Sequence, residues 1–89
     1  MNGLNTLTLV VRYRSLVKNN DNTYTLIVTI KDDSDCDKTI PICINKSLYE
    51  ILSDYCNDND VLAIKGFISL NENQIQIVAT KISMLSSGK

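Results

Sequence analysis

Arg12-Tyr13-Arg14 sets an aromatic ring between two guanidinium groups, and Lys65-Gly66-Phe67 sets an ammonium two residues from a second ring. Cations hold phosphates and rings stack on bases, so these residue types together suit the binding of a single nucleic-acid strand. Lys31 and Lys81 add charge, and Gln74 and Gln76 add amides that can bond to phosphate or to base edges. The candidate binding residues are therefore Arg12, Tyr13, Arg14, Lys31, Lys65, Phe67, Gln74, Gln76 and Lys81.

Other chemistries find fewer residues to work with. The chain has no His, which removes the commonest general base and the commonest metal ligand. Ser-His-Asp and Cys-His catalysis are excluded with it. Cys36, Cys43 and Cys56 are odd in number and fit neither a CxxC zinc site nor a secreted disulfide framework. They read as reduced thiols of a cytoplasmic protein. Asp32, Asp33, Asp35 and Asp37 crowd one loop, but the Gly and the distal Glu of an EF-hand loop are missing, so a solvated turn is expected. With no nucleophile–base pair and no metal cluster, neither an enzyme nor a cofactor is expected.

Eighty-nine residues with 44% hydrophobic content make one small globular domain. No apolar run reaches the roughly 18 residues of a membrane span, and the first residues lack the basic and apolar regions of a signal peptide. No membrane association is expected. The net charge of −1 is an average. Residues 1–31 carry Arg12, Arg14, Lys18 and Lys31 against Asp21, for +3. Residues 32–60 carry Lys38 and Lys46 against seven Asp and Glu50, for −6, and residues 61–89 carry Lys65, Lys81 and Lys89 against Glu72, for +2. Both ends are basic and the middle is acidic.

The elements that must position these residues are mostly strands. Residues 4–14 alternate, with Leu7, Leu9, Val11 and Tyr13 on one face and Thr6, Thr8, Val10, Arg12 and Arg14 on the other. Asn19-Asn20-Asp21-Asn22 is turn chemistry, and Thr23 to Lys31 completes a hairpin. Thr39 to Ile44 is a third strand, with Ile40, Ile42 and Ile44 inward and Pro41 outward. Ser47-Leu48-Tyr49-Glu50 matches a capping box, and Leu48, Ile51, Leu52 and Tyr55 form one apolar helical stripe. Val61 to Leu70 and Gln74 to Leu85 are two further strands, the first interrupted by Gly66 and the pair joined by a short turn. On this pattern Tyr24 and Tyr55 belong to the core, Tyr13 stands at the rim, Phe67 points outward and Tyr49 is free for a partner.

Three strands, a helix and two strands is the element order of the OB-fold, an all-β five-stranded Greek-key barrel with one helix between strands 3 and 4. Residues 1–85 would form the barrel, with the helix closing its bottom, and residues 86–89 a polar tail.

Lys46-Ser47-Leu48-Tyr49-Glu50-Ile51, Asp60-Val61-Leu62-Ala63-Ile64-Lys65-Gly66-Phe67-Ile68 and Gln76-Ile77-Val78-Ala79-Thr80-Lys81-Ile82 resemble stretches of the single-stranded DNA-binding protein family of bacteria and phages. The resemblance covers residues 2–85. The stacking Trp or Phe usual before the helix is replaced by Ile44-Asn45, and these 89 residues hold neither the Gly- and Gln-rich linker nor the acidic tip of that family. The likeness is thus to a minimal accessory or mobile-element form, or to primosomal protein B. It implies sequence-independent binding of single-stranded DNA or RNA in replication, recombination or phage DNA metabolism. It also implies a dimer or tetramer joined through strand 1 at Thr6, Thr8 and Val10, and a replication or recombination protein as partner. The alternative is an OB-fold interaction module that binds protein rather than nucleic acid.

Overall fold

The computed structural model describes residues 5–31 and 36–87, without the side chains of Lys31 and Asn71. Its elements are β1 (Leu7–Lys18), β2 (Tyr24–Lys31), β3 (Asp37–Ile44), α1 (Lys46–Tyr55), β4 (Val61–Asn71) and β5 (Gln74–Ser86). The strands close into a barrel in the order β1-β2-β3-β5-β4, as the OB-fold requires. Neighbouring strands run antiparallel, except that β3 and β5 meet in parallel at Cys43 and Val78. Closure leaves no long unpaired edge on a chain too small to cover one.

The inward positions of the alternating strands supply the core: Val11, Leu26, Val28, Ile42, Ile44, Leu62, Ile64 and Ala79, with Leu52 from α1. At about 25 cal/mol per Å² of apolar surface, this burial is the main force holding the barrel closed.

Two sites shape the strands. β1 pairs with β4 through Leu7–Arg12 and with β2 through Arg12–Lys18, so Arg12 faces Val61 on one side and Thr29 on the other. The register slips between Tyr13 and Ser15, leaving Arg14 and Ser15 both exposed and returning Leu16 to the inner face. That bulge explains why alternation ends at residue 14 while the strand continues to Lys18. Further on, the register slips again between Lys65 and Gly66. A Cβ on Gly66 would lie 2.0 Å from the Val78 carbonyl oxygen, so only glycine lets β5 approach β4 here.

The helix departs from its expected start and orientation. Asn45, not Ser47, is the N-cap: its Oδ1 accepts from the Leu48 N–H at 2.8 Å, and Ser47 lies inside the first turn. The buried side is Leu48, Tyr49, Leu52 and Cys56, whereas Ile51 is 54% and Tyr55 70% exposed. At 100° per residue the helix is turned about 60° from the expected stripe. A contact between rings directs this turn. Tyr49 lies on Tyr24 of β2 with centroids 4.6 Å apart and planes at 41°. Tyr24 is core-facing as expected; Tyr55 and Tyr49 exchange the roles assigned to them.

Candidate nucleic-acid interface

The turn between β4 and β5 holds Glu72 at φ 51° and Asn73 at φ 67°, two successive left-handed residues that give the tight hairpin its twist. Register then sets the outer face of this hairpin. Lys65 stands opposite Lys81, Phe67 opposite Val78, Ser69 opposite Gln76 and Asn71 opposite Gln74. Five of the nine candidate residues (Lys65, Phe67, Gln74, Gln76 and Lys81) thus form one outward stripe. Phe67 is 36% exposed, enough ring surface for a base to cover.

The two lysines are directly paired, an arrangement that like charges disfavour. Neither joins an ion pair among the described residues. With Thr8, which faces Lys65 across β1, they line a recess of about 280 Å³. An anion in that recess would relieve the repulsion.

Arg12 continues the surface four residues along β1 from Thr8, about 13 Å at strand rise. Its Nη1 donates to the Asn59 carbonyl at 3.0 Å. Arg14 lies on the bulge, with Nη1 3.5 Å from Asp58 Oδ1. Both arginines are therefore engaged by the loop between α1 and β4. That loop is stitched to β1 through Tyr13, whose N–H donates to the Asp60 carbonyl at 2.8 Å and whose carbonyl accepts from the Asn59 N–H at 2.9 Å. Asp60 is only 4% exposed, and its Oδ2 accepts from the Asn57 N–H at 2.9 Å, which closes the turn. Tyr13 itself turns inward and lies half-buried on the core. Burial, with Cys56, Tyr49 and Asp58 nearby, pushes its hydroxyl pKa up.

Among solved structures, the yeast (S. cerevisiae) mitochondrial single-stranded DNA-binding protein Rim1 superposes with a TM-score of 0.75 at 13% identity, over 94% of this chain and 96% of that one. The single-stranded DNA-binding domain of a Synechococcus protein superposes at 0.65 and 17% identity, over 92% and 97%. The chain has the OB-fold. The N-terminal domain of PriB from Thermoanaerobacter tencongensis, described as dimeric, shares this OB-fold with a TM-score of 0.68 at 19% identity over 94% and 99%. No protein-family model and no curated protein matches the sequence.

In this OB-fold the remaining candidates are dispersed. Lys31 ends β2 opposite Asp37, its side chain outside the described residues, and the acidic run at 32–35 lies outside them too. Among the described residues no group of three or more Cys, Asp or Glu side chains could hold a metal ion, and no helix is long and apolar enough to cross a membrane. Sequence reasoning missed the loop at 57–60 as part of the site. Its Asn-Asp-Asn-Asp composition signalled a turn, but the contact with Arg12 and Arg14 spans more than forty residues of sequence, as the 47 between Arg12 and Asn59 show.

Proposed function

We propose that this OB-fold binds single-stranded nucleic acid without sequence preference, along the outer face of the β4–β5 hairpin. The observation that carries this reading is the register that sets two lysines, without an ion pair among the described residues, across from each other and next to an exposed Phe67. The lysines hold phosphates, Phe67 stacks a base, and Gln76 and Gln74 bond to whatever base edge or phosphate passes. None of these contacts distinguishes one base from another. The similarity of fold to single-stranded DNA-binding proteins supports the same reading.

Fluorescence anisotropy with labelled oligo-dT at low salt tests it. Binding should weaken steeply as salt rises, and Lys65→Ala and Lys81→Ala should each reduce the slope of log K against log salt by about 1. Phe67→Ala should cost about 1–3 kcal/mol of binding while leaving the salt slope unchanged. Absence of binding at micromolar protein would overturn the reading in favour of a protein-interaction module.

We propose further that the chain assembles with copies of itself through the outer face of β1, where Val10 is 63% exposed beside Thr8. The PriB structure, described as a dimer, supports this. Replication, recombination or phage DNA metabolism is the setting in which such an assembly would act, with a protein of that machinery as partner.

A further inference from the structure

A second open groove, of about 630 Å³, lies around Arg12, where β1 leaves β2 to join β4. Arg12, Arg14, Thr29 and Thr39 line it together with Asp37 and the apolar Ile30, and Val10 borders it from the β1 face proposed above for self-assembly. Thr29 Oγ1 is buried there with no hydrogen-bond partner among the described residues. A buried hydroxyl left unpaired is costly, and rotation of the Thr29 side chain toward the groove would let a ligand oxygen satisfy it. The two guanidinium groups outnumber the one lining carboxylate, Asp37, which suits the groove to an anion, while Asp58 sits 3.5 Å from Arg14.

We propose that this groove is a second phosphodiester subsite for the bound strand, and that Asp58 is a built-in competitor that holds its arginine until phosphate displaces it. The inference rests on the single-strand reading above. Both side chains of the pair are half-exposed or more, at 50% and 59%, so the exchange needs no opening of the core. The Asn59 carbonyl of the same loop accepts from Arg12, which holds the first arginine in place while the second is released.

Asp58→Asn in the full chain tests the competition, because it removes the charge and keeps the size of an exposed side chain. Oligo-dT affinity at low salt should rise about two- to fivefold, the value of an exposed ion pair, and the salt slope should steepen by about 1. Arg14→Ala in the same chain should abolish that gain. A gain that survives Arg14→Ala would reflect net charge alone and would overturn the proposal. So would an unchanged Asp58→Asn affinity in a protein whose binding still falls with Lys65→Ala; in that case the hairpin reading stands and this one does not. If neither the wild type nor Asp58→Asn binds, both fall together. Thr29→Val provides an independent readout: it should lower affinity without lowering thermal stability. Undiminished binding in that variant would remove Thr29 from the subsite and overturn the groove as the place where the strand lies.

Discussion

Tyr13 and Cys56 show how far a side chain's role depends on what lies behind it. Burial pushes the Cys56 thiol pKa up, with the Asp60 charge adding to the effect, and burial likewise raises Tyr13. Both neutral forms are therefore favoured in the folded chain. The stability this confers is complete below the unfolded pKa values near 9 and 10 and is lost as pH climbs through the raised folded ones. Thermal melting should show a decline beginning near pH 9, and Tyr13→Phe together with Cys56→Ser should flatten it. Ellman's reagent at pH 8 should likewise label Cys56 more slowly in the native protein than in urea. Tyr13 was legible from sequence as an aromatic between two arginines, but its inward turn was not, because a residue's face near a bulge depends on the partner strand.

At the scale of elements, the strands were read well and the helix less so. A strand's two faces follow directly from a period of two, so Val11, Leu26, Val28 and Ile42 could be placed by alternation alone. The helical stripe is broad, and several rotations bury comparable apolar area; contact with Tyr24 chose among them. The cap followed the same logic. Ser47-x-x-Glu50 matched a capping box, but β3 delivers the chain at Asn45 in extended conformation, φ −89° and ψ 174°, one residue before the helix begins. Asn45→Ala should cost about 1 kcal/mol in urea denaturation and Ser47→Ala far less. Gly66 is the stricter case. A methyl group there meets backbone rather than a movable side chain, so Gly66→Ala should destabilise the barrel by about 2 kcal/mol or more. An unchanged urea midpoint would show that β4 and β5 can separate at this point without loss.

Over the whole molecule, the charges sort onto different surfaces. Glu50, Asp54 and Asp58 lie exposed on α1 and the loop after it, while Lys65 and Lys81 lie on the β4–β5 hairpin. A net charge of −1 therefore coexists with a locally basic face, and oligonucleotide binding there should be weak and sensitive to salt. Self-assembly would draw on the same neighbourhood, since Thr8 lies between the β1 surface and the lysine recess. Thr8→Lys adds a third cation at that point and should shift any oligomer to monomer on a sizing column; an unchanged elution volume would exclude this face as the contact.

The order and facing of the strands and the Asn-rich turn are properties of the sequence itself, because each follows from local stereochemistry or from alternation along a single strand. The need for glycine at residue 66 comes instead from the approach of the Val78 carbonyl on β5. The rotation of α1, the partners of Arg12 and Arg14 and the alignment of Lys65, Lys81, Phe67, Gln76 and Gln74 arise only in the closed barrel. These depend on inter-strand register and on contacts between residues far apart in the chain, such as Arg14 with Asp58. Local preferences do not encode which distant groups will meet; the burial of a shared core does.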